Sequence, residues 1–226
     1  MQQGHDVQRL AVFDFCETLA DFQTASGYVD FVRRNTRYGS VMRRNAVYVV
    51  LMKAQVLKTI DGLTGHRHSV AKRMKLWQLR GVPLAEAERL AERFYRECVV
   101  PHLVETAVDR MRRLQHEGYA VGLSSGGYGL YLKYFVDEYG LDFCHCSEIG
   151  FEGGRCTGRM KGRDCMNGEK TARLAAAFGE APADSVSFSD SKSDLPLLRW
   201  TARAVVVSRG GHQDWIDKYN FNEIIW

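Results

Sequence analysis

One carboxylate stands out in this chain because it follows directly on an apolar segment. Residues 10–13, Leu-Ala-Val-Phe, have the character of a buried strand, and Asp14 comes immediately after them. Charged side chains are seldom placed at a strand end unless a metal, a partner or a reaction holds them there. Asp14 is therefore a candidate nucleophile in the loop after the strand; the alternative is a solvated Asp at a strand exit.

Two further segments offer groups that suit an anion. A short apolar run ends in Ser125, Gly126 and Gly127, where glycines let main-chain N–H groups approach an oxyanion and the hydroxyl adds a donor. Lys170 opens a predicted helix over 171–178, and an ammonium beside the positive end of the helix dipole suits a dianion.

A fourth segment adds two more carboxylates. Asp190 follows a predicted strand over 185–189, and Asp194 comes four residues later in the loop. Beside Asp14, these groups would repel one another strongly unless a hard cation lay between them. The four segments together, each at a strand or helix end, indicate one site.

These motifs resemble those of the haloacid dehalogenase superfamily of phosphohydrolases, and most closely its phosphoserine-phosphatase-like branch, subfamily IB. The family's Asp-x-Asp-x-Thr motif appears as Asp-Phe-Cys-Glu-Thr at 14–18, and its Ser-Gly-Gly motif at 125–127. Its third-motif Lys matches Lys170, within a branch-typical stretch over 157–170. Its Asp-Ser-x-x-Asp motif appears at 190–194.

The resemblance implies an α/β fold: a Rossmann-like core with a central, mostly parallel sheet flanked by helices, and an inserted α-helical cap. The motifs assign residues 1–19 and 101–226 to the catalytic core and residues 20–100 to the cap. Helical patterns near 25–34, 41–60, 69–80 and 84–98 agree with this division. At 226 residues and 45% apolar, the chain can bury one full core and a smaller second one.

The resemblance also implies the roles of the site residues. Asp14 would become an aspartyl phosphate, and Ser125, Gly126 and Lys170 would hold the phosphoryl oxygens. The implied cofactor is Mg²⁺, with ligands from the first and fourth motifs: the Asp14 carboxylate, the main-chain carbonyl of Cys16, Asp190 and, partly through water, Asp194. The chemistry agrees, because phosphoryl transfer to a carboxylate needs an in-line oxygen, a metal and fixed donors.

Cys16 departs from the family pattern. In the family, the Asp at this place protonates the leaving group and then activates water, help that is typically worth about 10²–10⁴-fold. A thiol has a reference pKa of about 8.5, so Cys16 is a weak acid, a brake on hydrolysis, or the sign of a chain that binds more than it catalyses. Glu17 is a poor substitute unless the loop twists, because successive strand residues face opposite sides.

Composition favours a cytoplasmic protein. The first strand begins close to the N-terminus with no apolar leader before it, and the most apolar segment, 46–52, is too short to span a membrane. It is predicted to be a buried helix, with weak contact to a membrane surface as the alternative. The six cysteines, at 16, 98, 144, 146, 156 and 165, lack the usual zinc-knuckle spacing and are interpreted as free thiols rather than a zinc site.

Positive charge is concentrated in the predicted cap. Residues 31–80 hold twelve Lys and Arg residues against Asp61 alone, a formal charge of +11, whereas the whole chain carries only +4. A solvated helical face is the ordinary interpretation. The alternative is an anionic partner: an anionic substrate, an anionic membrane or nucleic acid. Nucleic acid is not expected, because stacking aromatics are not interleaved with the charge.

Gln23 and Thr24, which follow the first motif, bear on which substrate the site accepts. Phosphoserine phosphatases place a Glu nine residues after the nucleophile to meet the substrate ammonium, and here that position is Gln23. Gln23 and Thr24 suit a hydroxyl-rich substrate by hydrogen bonding; alternatively, Gln23 only caps the first cap helix.

The sequence therefore predicts a Mg²⁺-dependent phosphatase, specifically a phosphohydrolase that cleaves a phosphate monoester of a small anionic or hydroxyl-rich metabolite through Asp14. Two alternatives remain open. One is a phosphoryl transferase that uses the same intermediate, and the other is a catalytically weak regulatory protein that binds a phosphorylated ligand. Oligomeric state and pathway have no signal in the sequence.

Overall fold

Strands and helices alternate along most of the chain. The computed structural model describes residues 7–53 and 70–226. In order, its elements are β1 (Arg9–Phe13), α1 (Thr24–Asn35), α2 (Gly39–Lys53), α3 (Val70–Trp77), α4 (Leu84–Phe94), α5 (Glu105–His116), β2 (Ala120–Tyr128), α6 (Gly129–Tyr139), β3 (Phe143–Glu152), β4 (Arg155–Lys161), α7 (Gly168–Phe178), β5 (Asp184–Ser189), α8 (Leu195–Trp200), β6 (Arg203–Ser208), α9 (Asp214–Tyr219) and β7 (Asn222–Ile225).

The seven strands form one sheet in the order β4-β3-β2-β1-β5-β6-β7. Every neighbouring pair is parallel except the β3–β4 hairpin, which confirms the predicted α/β class. Phe13 of β1 lies in register with Leu123 of β2 and Phe188 of β5. The carboxyl ends of these three strands therefore meet at one edge, where ligands bind in sheets of this kind.

The central strands are apolar because helices cover both faces of the sheet. Phe13 and Phe188 stack with ring centroids 4.2 Å apart. On the next strand, Gly122 passes against β3 so closely that a side chain there would strike the backbone of Phe143. The residues that end at the site therefore continue strands with little freedom to shift.

The helices between β1 and α5 share the hydrophobic core of the sheet. We call residues 20–100 the insert. Tyr28 of α1 and Phe94 of α4 pack on Tyr131 of α6, with ring centroids 5.5 Å and 5.2 Å away. The main apolar cluster therefore runs from the sheet into the insert without a break, and two smaller clusters lie apart from it, one around Leu10 and Leu174 and one around Val206 and Ile216.

Predicted elements agree with the structure except at their ends, in the last part of the chain and in the burial of 46–52. That segment is helical as predicted, but it is not buried, since Val47, Val49 and Val50 are exposed. The helix predicted over 84–98 is α-helical to Phe94 and then forms a π-helical turn, Tyr95–Val99. Residues 54–69 lie outside the described residues, so the end of the helix predicted over 41–60 and the start of that over 69–80 do too. Sequence analysis missed α8, α9 and β7, which are only 6, 6 and 4 residues long.

Two other expectations bear on the chain as a whole. The six cysteines are free thiols. Among the described helices, none is long and apolar enough to cross a membrane. The division of the chain into core and cap at residues 20 and 100 stays a prediction.

Substitution of Gly122 by Ala tests the strand positions. A Cβ at Gly122 would lie 2.4 Å from the main-chain oxygen of Phe143, so the two strands must separate. We expect Gly122→Ala to lower the free energy of unfolding by about 1–3 kcal/mol, as overpacking does, in urea denaturation. Gly211→Ala is the control, because a Cβ there has no heavy atom of the described residues within 4 Å. Equal stability of the two variants would contradict the close strand packing.

Candidate active site

Asp14 lies directly after the central strand, buried at the meeting point of three strand ends. The residue is 6% exposed, and its main-chain N–H donates to the carbonyl of Phe188 at 2.9 Å. Burial raises the pKa of Asp14, and the charge of Lys170 opposes that rise. The predicted nucleophile is thus a carboxylate that depends on a nearby positive charge.

Lys170 supplies that charge from the first turn of α7. Its Nζ lies 3.0 Å from Asp14 Oδ1 and 2.5 Å from Asp194 Oδ2. Ser189 Oγ also donates to Asp194 Oδ2, at 2.6 Å. Burial disfavours the charged ammonium, but the two carboxylates outweigh it and raise the pKa of Lys170. Lys170 is therefore a fixed cation at the bottom of the site.

Asp190 is the third carboxylate, and Thr18 orients it. Thr18 Oγ1 donates to Asp190 Oδ1 at 3.1 Å and accepts from the Asp190 main-chain N–H at 3.0 Å. Burial, followed by the charges of Asp14 and Glu17, raises the pKa of Asp190 to about 7. A carboxylate with a pKa raised in this way needs a nearby positive charge to stay ionised. Lys170 already pairs with Asp14 and Asp194.

The donor set fits a hard cation. Asp14 Oδ1 is buried and, although near Lys170, accepts no hydrogen bond from the described residues. The described residues contain no group of three His, Cys, Asp or Glu side chains arranged as a complete metal cluster. Mg²⁺ commonly uses one or two carboxylates and keeps several waters. Two carboxylates with the Cys16 carbonyl match that pattern, whereas the side chain of Asp194 is held by Lys170 and Ser189.

Cys16 is enclosed in a chain of neutral hydroxyl groups. Its Sγ lies 3.0 Å from Thr24 Oγ1, which lies 2.7 Å from the hydroxyl of Tyr131. Cys16 is 7% exposed and Thr24 and Tyr131 are fully buried. Burial, and then the charge of Asp14, raises the pKa of Cys16. The thiol is therefore neutral. Thr24 lies behind it, with its hydroxyl engaged by Cys16 and Tyr131 and outside the residues that line the cavity, and its binding of substrate stays a prediction.

Glu17 enters the site because the loop does twist. It adopts φ of +59°, a left-handed conformation that is uncommon for a residue with a side chain, and it lines the cavity beside Asp14. Gln23 Nε2 donates to Glu17 Oε2, so the predicted substrate ligand Gln23 does face the cavity. Alternation of side chains along a strand would have pointed Glu17 away from Asp14. Because the loop twists, that argument against Glu17 as a substitute acid no longer applies.

Residues 125–127, at the end of β2, close the cavity on that side, and we call them the phosphate-binding turn. Ser125 is fully buried and accepts a hydrogen bond from the main-chain N–H of Gly127 at 3.2 Å. Gly126 lines the cavity opposite Lys170. Of the predicted phosphate-binding residues, Gly126 and Lys170 line the cavity, whereas Ser125 is fully buried and is not among the lining residues.

The cavity has a volume of about 290 Å³ and lies between the sheet edge and the insert. Among the described lining residues, the carboxylates come from outside the insert: Asp14, Glu17, Asp190 and Asp194. The insert contributes neutral and basic side chains, among them Gln23, Ser26, Tyr48, Lys72 and Lys75. Sequence analysis did not single out Tyr48, Lys72 or Lys75 as site residues; the lysines were part of a long basic run, with no signal that set them apart.

Comparison with known proteins agrees with this geometry. The model of the haloacid dehalogenase-like hydrolase family matches residues 11–199. The phosphoserine phosphatase of Archaeoglobus fulgidus is 27% identical over 194 residues, covering 84% of this chain but 50% of its own length. The chain thus spans about half of that relative.

Solved structures share the fold. A protein of unknown function from Bordetella pertussis Tohama I has a TM-score of 0.77 at 24% identity, covering 96% of this chain and 98% of its own. A structure described as a phospho-aspartyl intermediate analogue of phosphoserine phosphatase has a TM-score of 0.60 at 19% identity, covering 96% and 93%.

The raised pKa of Asp190 predicts how cation binding responds to pH. Mg²⁺ and a proton would compete for this carboxylate, so affinity should be full above pH 7 and fall below it. We expect about tenfold weaker Mg²⁺ binding at pH 6 than at pH 8 by isothermal titration calorimetry. An Asp of ordinary pKa stays ionised throughout this range. Equal affinity at the two pH values would therefore contradict the raised pKa.

Proposed function

We propose that this chain, which belongs to the haloacid dehalogenase-like hydrolase family, cleaves phosphate monoesters through a covalent intermediate on Asp14. The family match and the phosphatase relatives make it a phosphatase; the metal, the intermediate and the substrate class are the proposed parts. The observation that carries the proposal is the burial of Asp14 at the end of β1, with Lys170 3.0 Å away and Asp190 in the same cavity.

The proposed reaction has two displacements at phosphorus. An oxygen of Asp14 attacks the phosphoryl group, a new P–O bond to Asp14 forms, and the ester P–O bond breaks. Lys170 and the Ser125–Gly127 turn donate to the equatorial oxygens. Water then attacks phosphorus, releasing phosphate and the free carboxylate. Mg²⁺, held by Asp14, the Cys16 carbonyl and Asp190, would neutralise phosphoryl charge.

Asp194 acts through Lys170 in this scheme. With Ser189 it fixes the ammonium, so that Lys170 keeps its proton and position when the charge of Asp14 is taken up by a phosphoryl group. A direct role of Asp194 as a water-mediated metal ligand is compatible with this scheme, and remains the role that the family resemblance implies.

The neutral Cys16 weakens acid–base catalysis in both displacements. A buried thiol of raised pKa is a poor proton donor to an alkoxide and a poor base for water. Slow attack by water lengthens the life of the phospho-enzyme. This keeps a phosphoryl transferase as the second candidate function, in which an acceptor other than water removes the phosphoryl group.

The insert side of the cavity wall is compatible with a small anionic substrate. Lys72 and Lys75 line it, each already paired with one carboxylate outside the lining, Asp164 and Asp30, and the described lining residues of the insert include no carboxylate. The Glu expected by resemblance for an ammonium group is Gln23, an amide that pairs instead with Glu17. We propose that the insert is the cap over the site and that it selects a phosphate monoester with a further anionic or hydroxyl group.

Removal of the nucleophile is the direct test. We expect Asp14→Asn to abolish Mg²⁺-dependent phosphatase activity and the acid-stable phosphorylation of the protein, because an amide cannot take the phosphoryl group. Chelation of Mg²⁺ should stop the wild-type enzyme. Asp109→Asn, which changes an exposed Asp of α5, is the matched control. Undiminished turnover by Asp14→Asn would refute the role of Asp14.

Cys16→Asp tests the role of the thiol. The site is buried and lies beside Asp14, so it should keep a new carboxyl protonated for the leaving group. We expect Cys16→Asp to speed hydrolysis of alkyl phosphates about tenfold or more, with a smaller gain on aryl phosphates, whose leaving groups need less protonation. Steady-state kinetics on both substrate classes measure the difference.

The control for this substitution is Cys16→Ser, which keeps a small neutral group. It should give no such gain. If Cys16→Asp is no faster on any phosphomonoester and the wild type accumulates no phospho-enzyme, the thiol does not limit catalysis, and Glu17 becomes the candidate acid.

A further inference from the structure

Lys72, on helix α3 of the insert, contacts the catalytic half of the cavity. Its Nζ donates to the main-chain oxygen of Gly126 and to Oδ1 of Asp164, both at 2.6 Å. The side chains of Lys72 and Asp164 are 14% and 17% exposed. A short ionic contact this well shielded from water is stronger than an ordinary surface pair.

Asp164 is itself fixed to the sheet. Ser147 Oγ, on β3, donates to the same Oδ1 at 2.5 Å. The next residue along the chain, Cys165, donates its main-chain N–H to Ser147 Oγ at 3.0 Å. The ammonium of Lys72 therefore binds a firmly held carboxylate, in the loop that leads into α7 and Lys170.

The contact with Gly126 acts on the phosphate-binding turn. The Gly126 carbonyl and the Gly127 N–H belong to one planar peptide unit, so fixing the oxygen fixes the direction of the N–H. That N–H donates to Ser125 Oγ at 3.2 Å. Ser125 Oγ accepts this hydrogen bond and still carries a hydrogen of its own to donate, which under the proposed function goes to a phosphoryl oxygen.

We propose that Lys72 is a positioning residue for phosphate binding: it fixes the Gly126–Gly127 peptide and, through it, the hydroxyl of Ser125. Lys72 belongs to the insert. Through this contact, the conformation of the phosphate-binding turn therefore depends on the position of the insert against the sheet. The inference rests on the proposed function and adds a residue outside the four sequence motifs.

Lys75 offers a matched comparison one turn along the same helix. Its Nζ lies 2.7 Å from Asp30 Oδ2, and its side chain is also 14% exposed. That pair joins α3 to α1 within the insert and does not touch the turn. Loss of Lys75 removes the same charge from the same cavity wall without releasing Gly126.

Hydrogen exchange of the ligand-free protein tests the hold on the turn. We expect Lys72→Met to speed amide exchange at residues 125–128 about tenfold, and Lys72→Arg to restore much of the protection. Asp164→Asn, the milder change, should speed exchange less. Lys75→Met should leave residues 125–128 as in the wild type.

A double-substitution cycle with Ser125→Ala tests the link to phosphate. The probe is inorganic phosphate in the presence of Mg²⁺. Lys72→Met should weaken phosphate binding about tenfold, and Ser125→Ala should then add little, because both act through one hydroxyl. Lys75→Met and Ser125→Ala should be additive. A purely structural or purely electrostatic Lys72 would be additive with Ser125 as well.

Two results would overturn the inference: exchange at residues 125–128 that is equal in Lys72→Met and Lys75→Met, or additivity of Lys72 and Ser125. The failure of the proposed function has a different signature. If the wild type neither binds phosphate nor turns over p-nitrophenyl phosphate, while Lys72→Met still speeds exchange at the turn, the phosphatase mechanism falls and the hold of Lys72 on the turn stands.

Discussion

Three carboxylates and one ammonium lie together where β1, β2 and β5 end, and all are buried except Asp190, which is half-buried. Lys170 bridges Asp14 and Asp194, and Asp190, left without that partner, has a pKa raised to about 7 by burial and by the charge of Asp14. Like charges at this depth repel with little screening by water. The repulsion within the cluster would be relieved by a divalent cation, which could in turn attract a phosphoryl dianion to the site.

The parallel topology of the sheet brings these charged groups close together. Parallel strands all present their carboxyl ends at one edge, so a motif after each of three neighbouring strands is enough to bring the groups together. The positions of these groups are then fixed by hydrogen bonds between different elements, such as those of Thr18 with Asp190. These pairs connect loops that are about 170 residues apart in sequence.

Much of this was predictable from the sequence, and the reason lies in the strands. Asp14 could be found because it ends an apolar run, Asp190 because it follows a predicted strand over 185–189, and Lys170 because it opens a helix. Glu17 could not, because its direction depends on a left-handed backbone angle that no local pattern of this loop announces. Lys72 could not be found either, because nothing in the sequence sets it apart within a run of twelve basic residues. Its contact with Gly126 is seen in the fold.

The environment of Cys16 follows from the same electrostatic constraint. An ionised acid there would add a further negative charge to a crowded cluster, whereas a thiol adds none. Thr24 and Tyr131 are neutral partners, and burial raises the pKa of Tyr131 far above its usual value, so the whole chain of hydroxyl groups behind Cys16 carries no charge. This arrangement is suited to a neutral group at position 16, either a thiol or a protonated acid. Under the proposed function, a general acid would work in these surroundings and the thiol of Cys16 is a weaker donor, so we expect its effect to fall on proton transfer rather than on phosphate binding.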